Sequence, residues 1–291
     1  MVDCPAGLAA VTSALACPHC GSALELDTED GAAALLCEAG HPFDIARQGY
    51  VSLLGGRGAT VVADDADMIA ARARFLATGH YDAFLDAVAA ATAGAVDGGG
   101  VVLDCGAGEG SYLLRALDAA PGTVGIGLDL SKPAARRLAR RDPRVGAVVA
   151  NGWDRLPVAD GAVAVVLSVF APRNATEFAR VLAPGGAVVV LTPTARHLRE
   201  LVGPLGMISV EDGKVARLDA TLGRHFELVD RQRLDWIMEL AADAVDDLVA
   251  MGPSAHHTTP DARRAATARL IGPDGTVAVT ASGQVSVFRR A

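Results

Sequence analysis

The chain has 291 residues, a formal net charge of −8 and a hydrophobic content of 51%, enough for one large α/β domain and a smaller unit. The acidic balance argues against a protein that coats nucleic acid by bulk electrostatics, so any RNA contact should be local. The sequence shows neither an apolar run of membrane-spanning length nor a basic leader followed by an apolar core. We therefore expect no membrane contact and a cytoplasmic location.

Three of the five cysteines lie between residues 17 and 41, and His41 follows the last of them by four residues. Cys17 and Cys20 form a C-x2-C pair, and Cys37 and His41 form a C-x3-H pair. Zinc takes four such ligands at tetrahedral angles, and clustered cysteines in a reducing compartment are better explained by metal than by disulfides. The spacing predicts a small β-rich zinc ribbon with a structural Zn²⁺; the alternative is a group of buried free cysteines with an unrelated histidine.

The segment after the ribbon changes character twice. "GGRGATVVADDADM" has the composition of a linker, and the following residues show helical spacing with a break at Gly79. From residue 101, apolar runs of strand length ("VVLD", "TVGIGLD", "GAVVA", "AVAVVLSV", "AVVVLT") alternate with helical segments, which predicts a doubly wound parallel sheet. The C-terminal "GTVAVTASGQVSVFRR" is expected to add two short strands as an antiparallel edge.

A glycine-rich turn joins the first of these strands to a helix. Asp104, Gly106, Gly108 and Gly110 form a D-x-G-x-G-x-G pattern, and Asp129 ends the next strand, where a carboxylate can accept both ribose hydroxyls. The NAD fingerprint is G-x-G-x-x-G, whereas this acidic-led form is typical of S-adenosylmethionine (SAM) methyltransferases. The alternative is that the glycines only pack the helix against the strand.

Several stretches together resemble one family: "CPHC", "CEAGHPFDIARQGYVSLL", "ARARFLATGHY", "LDCGAGEGSY", "GLDLSK", "VFAPRN" and "LTPTARHLREL". They are similar to the bacterial 23S rRNA (guanine-N1)-methyltransferases, in particular the Gram-positive branch that includes the tylosin-resistance enzyme. The resemblance implies methyl transfer from SAM to guanine N1 in a hairpin of 23S rRNA near the peptide exit tunnel. It also implies zinc binding by the four residues above, and a SAM site that includes Tyr81, Gly108, Glu109, Asp129 and His197.

The fold that follows is α/β: a Rossmann-like class I SAM-dependent methyltransferase domain with a small N-terminal zinc ribbon. We expect a zinc-ribbon RNA-recognition domain at 1–54, a helical linker at 55–95 and the methyltransferase domain at 96–291. Asn151, in "VVANGWDRLP", stands where many SAM enzymes carry an acidic residue near the adenine, and an amide can still pair with the adenine edge.

The target guanine must be unstacked to reach the methyl group, because base edges inside an RNA helix are poorly accessible. Phe170 in "SVFAPRN" follows the fourth strand and is a candidate for stacking on the base, or else an ordinary core residue. Asp154 is a candidate acceptor for the guanine N1 proton. We expect Arg47, Arg57, Arg72 and Arg74 to bind RNA phosphates, unless they form a solvated face with carboxylate partners; the basic run at 136–144 is interpreted as solvated.

Two other functions fit parts of the sequence. The acidic pI favours a SAM-dependent methyltransferase that acts on a small metabolite, in which the ribbon serves as a lid or dimerisation element. A zinc-ribbon RNA-binding protein on an inactive methyltransferase domain is disfavoured by the intact Asp104 and Asp129. Whether the protein forms a homodimer is left open.

Overall fold

The computed structural model describes residues 4–28, 33–55, 62–171, 173–208, 213–252, 254 and 259–290. The helices, in chain order, are α1 Ala6–Val11, α2 Ala66–Ala77, α3 Asp82–Ala95, α4 Ser111–Ala119, α5 Lys132–Leu138, α6 Ala175–Val181, α7 Arg199–Leu205, α8 Lys214–Leu222, α9 Ala242–Ala250 and α10 Pro260–Ala268. The strands are β1 Leu24–Asp27, β2 Ala34–Cys37, β3 Pro42–Asp44, β4 Tyr50–Ser52, β5 Gly100–Cys105, β6 Thr123–Asp129, β7 Val145–Val149, β8 Val163–Val169, β9 Leu182–Pro193, β10 Phe226–Ala241 and β11 Thr276–Arg290.

The central sheet is the predicted doubly wound one. Its strand order is β10-β11-β9-β8-β5-β6-β7-β4, and the strands from β9 to β4 are parallel to one another. The five strands predicted from apolar runs are all present, buried on both faces by small aliphatic side chains. The carboxyl ends of β5 to β9 therefore meet at one edge, where ligands of such sheets bind.

The C-terminal part of the sheet differs from the expectation. The stretch from Thr276 to Arg290 forms one long strand, β11, which lies between β9 and β10 and is antiparallel to both. The edge strand is instead β10. Gly283 allows β11 to continue unbroken past the α3 helix, because a Cβ there would lie 2.8 Å from the ring of Phe84.

The N-terminal 54 residues divide between two sheets. β1, β2 and β3 form a separate three-stranded antiparallel sheet, which is the ribbon. The strand Tyr50–Ser52 instead pairs in parallel with β7, and α1 packs closely enough on β7 that a Cβ on Gly7 would meet the carbonyl oxygen of Val145 at 2.0 Å. The ribbon is therefore anchored on both sides by chain that belongs to the large sheet.

The helical segment expected as a linker is packed into the large domain. Asp65 caps α2 by accepting from the Met68 N–H, and Gly79 breaks the helix with φ of +80°, as predicted. Phe75 of α2 and Phe84 of α3 are both fully buried. In the described part of the chain, no helix combines the length and apolar character that crossing a membrane requires.

Candidate active site and zinc ribbon

The glycine-rich turn bends sharply between β5 and α4. Gly106, Gly108 and Gly110 all have positive φ, at 93°, 55° and 94°. A Cβ on Gly110 would lie 2.3 Å from the side chain of Leu138 on α5, so this glycine is required for close helix packing. The predicted turn is thus present, and it brings the start of α4 to the edge of the sheet where the strands end.

Asp129 is held in place by the turn it faces. Its two carboxylate oxygens accept from the N–H groups of Gly108 and Ser131, both at 2.8 Å. A carboxylate has about four acceptor positions, so two remain for hydroxyl donors. This arrangement suits the ribose role predicted from its place at the end of β6.

A cavity of about 720 Å³ runs from this turn to the protein surface. Eight of the nine residues predicted for the cofactor line it, whereas Gly110 lies behind the turn against α5. The eight are Tyr81, Asp104, Gly106, Gly108, Glu109, Asp129, Asn151 and His197.

Asp104 leaves an unmatched acceptor in the wall of this cavity. The residue is 1% exposed, and its Oδ1 has no hydrogen-bond partner among the described residues. Burial, with the negative charge of Asp129, raises the pKa of Asp104 to about 8. SAM carries an ammonium and a sulfonium group, so this donor-poor, acidic site fits the cofactor's charge.

Binding of SAM is therefore expected to depend on pH. Below about pH 8 the unliganded Asp104 is protonated, and a cationic ligand favours its carboxylate, so binding releases a proton. SAM affinity should rise between about pH 5.5 and 7.5, where the amine of SAM stays largely charged, by up to about tenfold per unit. Calorimetry in buffers of different ionisation enthalpy measures the released proton. Asp104→Asn should abolish the release; equal affinity across the range without proton release would refute the assignment.

The hydroxyl group of Tyr81, in the cavity wall, is fixed by a chain of two hydrogen bonds that begins at β11. The Ser282 N–H donates to His197 Nδ1 at 3.1 Å, and His197 Nε2 lies 3.0 Å from the Tyr81 hydroxyl. Since Nδ1 accepts, Nε2 carries the proton and donates to Tyr81, whose own hydroxyl proton is free for an acceptor. Burial, with the positive charge of Lys214, lowers the pKa of His197 to about 4, which keeps this neutral tautomer.

Two aromatic side chains stand at the mouth of the cavity. Trp153 and Phe170 both line it and are 57% and 41% exposed. Phe170 has φ of +52°, a strained conformation for a large residue, and its ring stacks on His197 with 5.9 Å between centroids. Phe170 is thus not an ordinary core residue: an exposed, fixed ring at this place can stack on a planar ligand.

The four predicted metal ligands converge in the ribbon. The ligand atoms of Cys17, Cys20, Cys37 and His41 all lie within 4.8 Å of one another. Gly21 and Gly40, with φ near +80°, close the two turns that present the ligand pairs. The Cys20 thiol accepts from Ser22, which lowers its pKa to about 6 and favours the thiolate that binds metal.

The distances fit a tetrahedral zinc site. Zn–S of about 2.3 Å and Zn–N of about 2.0 Å imply S···S near ~3.8 Å and S···N near ~3.5 Å. The Cys20 and Cys37 sulfurs are 3.7 Å apart, and His41 Nδ1 lies 3.5 Å from Cys17 Sγ and 3.3 Å from Cys37 Sγ. Four protein ligands leave no open position, so the ion is structural.

The comparisons with known proteins agree with both sites. Residues 15–56 match the family model of the RlmA N-terminal zinc ribbon, and residues 102–186 match a methyltransferase domain model. A protein of Micromonospora griseorubida named as a 23S rRNA (guanine-N1)-methyltransferase is 50% identical, over 94% of this chain and 97% of its own. The 23S rRNA (guanine(748)-N1)-methyltransferase of Streptomyces fradiae is 48% identical, over 87% of this chain and 90% of its own.

The chain belongs to the 23S rRNA (guanine-N1)-methyltransferase family. The fold itself recurs in a Bacillus halodurans structure described as a methyltransferase, with a TM-score of 0.50, 12% identity, and coverage of 69% of this chain and 97% of that one. The chain accordingly has the class I SAM-dependent methyltransferase fold, and its ribbon is the zinc ribbon of this family.

Three residues of this methyltransferase have local partners that the sequence did not reveal. Both ends of the Asn151 amide are engaged, with the oxygen accepting from Trp153 N–H and the nitrogen donating to Asp154. Asp154 is exposed and does not line the cavity. Glu109 caps α4 through Ser111 N–H and forms an ion pair with Arg141. Adenine recognition by Asn151 and proton acceptance by Asp154 therefore remain predictions.

The four arginines predicted to bind RNA lie in different surroundings. Arg72 lines the cofactor cavity and donates hydrogen bonds to Asp64 and to the Met251 carbonyl. Arg74 makes a bidentate ion pair with Asp247. Both follow the alternative of arginines paired with carboxylates, because α2 packs between the cofactor turn and α9. Arg47 is exposed on the turn between β3 and β4. Arg57 lies outside the described residues.

Tyr112 and Trp153 are among the cavity residues that were not predicted from the sequence. Tyr112 has a hydroxyl without a hydrogen-bond partner among the described residues, and Trp153 forms part of the rim. Tyr112 follows the glycine-rich turn by two residues, which was a usable signal. Trp153 lies in the loop after β7, at the same sheet edge as the other cavity residues. The chain has only two tryptophans, and a tryptophan placed after a strand at this edge indicates ligand binding.

Proposed function

We propose that this protein transfers a methyl group from SAM to N1 of a guanine in 23S rRNA. The observation that carries the proposal is one cavity that joins the SAM turn to a mouth formed by Phe170 and Trp153, beside a zinc ribbon. The ribbon lies close to the loop that carries Trp153: a Cβ on Gly21 of the first zinc turn would be 3.4 Å from the guanidinium of Arg155. Ala16 N–H also bonds to the Pro157 carbonyl at 3.1 Å.

The chain's own residues account for binding and orientation. Asp129 and Asp104 hold the two ends of the cofactor, and SAM supplies an electrophilic methyl group when bound. Phe170 and Trp153 stack a flipped guanine at the mouth, which places N1 in line and excludes water from the reacting atoms. The guanine N1 proton leaves toward the open rim, where Asp154 follows Trp153.

The relative from Streptomyces fradiae is named for guanine 748, so we propose the equivalent guanine of 23S rRNA, in a hairpin near the exit tunnel, as the target. A methyl group at that position would confer resistance to a macrolide of the tylosin type.

Methylation of purified, unmodified 23S rRNA with labelled SAM tests the proposal. Label in the rRNA is the expected result. Label only in small molecules of a cell extract would indicate a metabolite enzyme, and no transfer at all, with SAM and RNA both bound, would indicate a non-catalytic RNA-binding protein. Either of these results would overturn the assignment.

Replacing Phe170 with alanine is expected to lower kcat/KM for rRNA by about 10- to 100-fold, because base stacking contributes roughly 1–3 kcal/mol. The dissociation constant of SAM should stay within about threefold. Leu228→Ala is the matched control, since Leu228 is 44% exposed on the edge strand β10 and is not part of the cavity lining. A Phe170 variant that methylates rRNA like wild type would contradict the stacking role.

A further inference from the structure

Three exposed arginines lie together on one surface of this acidic protein. Arg136 and Arg137 in the last turn of α5, and Arg140 just after it, are exposed and form no ion pair with any residue that the structure describes. They occupy positions i, i+1 and i+4, so like charges lie side by side and repel one another. A cluster of this kind is stabilised when an anion binds to it.

The surroundings of these arginines do not supply that anion. They line a groove of about 840 Å³ between α2 on one side and α4 and α5 on the other. Two acidic residues of the groove are already engaged, since Glu109 pairs with Arg141 and Asp118 with Arg144. Asp82, at the start of α3, is the remaining carboxylate among the groove residues. Three cations therefore face one acid here.

The basic surface continues toward the ribbon. A Cβ on Gly49 would lie 3.6 Å from the Cβ of Ala139, so the turn between β3 and β4 rests against the end of α5. Arg47, two residues earlier, is exposed on that same turn and has no ion pair among the described residues. The three arginines and Arg47 form a surface that we call the α5 basic surface.

We propose that the α5 basic surface binds phosphate groups of the RNA substrate's backbone. This rests on the proposed function. α5 begins three residues after Asp129 and has 7 residues, so at 1.5 Å per residue it is about 10 Å long, within reach of one RNA hairpin. An acidic protein must concentrate its RNA contacts where cations are uncompensated, and arginine is well suited to phosphate. Such contacts position the substrate without reading its sequence.

The test uses the full-length protein and purified, unmodified 23S rRNA. In the variant R136Q/R137Q/R140Q each lost phosphate contact should lower the slope of log K against log[salt] by about 0.7–0.9, so by roughly 2 to 3 in total. At about 0.15 M salt this corresponds to a 10- to 100-fold loss of RNA affinity. SAM affinity should not change. The charge-preserving R136K/R137K/R140K should keep most of the affinity and the slope.

The matched control is R224Q/R264Q/R269Q, which removes the same charge from three exposed arginines, one just after α8, one on α10 and one just after α10. If the α5 variant and this control bind RNA with the same affinity and slope, the proposal is wrong. If the α5 variant changes only its sedimentation behaviour, the surface contacts a second copy of the chain and the proposal is also wrong. Failure of wild type to methylate rRNA would instead overturn the proposed function, so the two failures are distinguishable.

Discussion

Replacing Asp129 with alanine is expected to weaken SAM binding by at least about 100-fold. Two hydrogen bonds from ribose hydroxyls to a carboxylate contribute roughly 1.5–3 kcal/mol each. The change also leaves the Gly108 and Ser131 N–H groups without their acceptor, which loosens the turn that holds the cofactor. Calorimetric titration with SAM measures the effect.

The control for Asp129 is Asp261→Ala, which removes an acidic side chain that is 92% exposed on α10. It should bind SAM like wild type. If Asp129→Ala also bound SAM with unchanged affinity while remaining folded, Asp129 would not bind the ribose. The assignment of this end of the cavity to the adenosine part of SAM would then be wrong.

Replacing Cys37 with serine is expected to abolish stoichiometric zinc and to lower RNA affinity by about 100-fold or more. Structural zinc contributes on the order of 10 kcal/mol to the folding of small domains, and this three-stranded sheet is too small to form a stable core alone. SAM affinity should change by less than about fivefold, because the described cavity lining contains no ribbon residue. Elemental analysis, RNA binding and SAM calorimetry on one preparation give all three values.

Cys4→Ser is the matched control for Cys37. Cys4 is half-buried and lies outside the metal cluster, so its replacement should leave zinc content and RNA affinity unchanged. Wild-type protein without zinc, or a Cys37 variant that binds RNA normally, would contradict the role of the ribbon.

Local chemistry made much of this site predictable. The zinc ligands, the glycine turn and the five parallel strands each follow from short-range patterns, namely paired metal ligands, positive-φ glycines and buried apolar runs. Asp129 could be placed because the end of β6 must lie beside the end of β5 in a doubly wound sheet.

The parts that were missed depend on long-range packing. Nothing local distinguishes Arg74, which pairs with Asp247 on the distant helix α9, from Arg136 and Arg137, which pair with no carboxylate in the described part of the chain. The strand Tyr50–Ser52 joins the large sheet because β7 offers it an open edge, which the ribbon sequence does not show. The continuous β11 likewise depends on its neighbours β9 and β10.

The proposed function depends most on a guanine being flipped out of the RNA into the mouth of the cavity beside Phe170. The most direct measurement is reverse transcription along 23S rRNA treated with the enzyme and SAM, because a methyl group on guanine N1 blocks base pairing and stops the polymerase. We predict one SAM-dependent stop, at the guanine equivalent to 748, that is lost with Asp129→Ala and weakened with Phe170→Ala. No SAM-dependent stop, with the label in another atom or another molecule, would contradict the account.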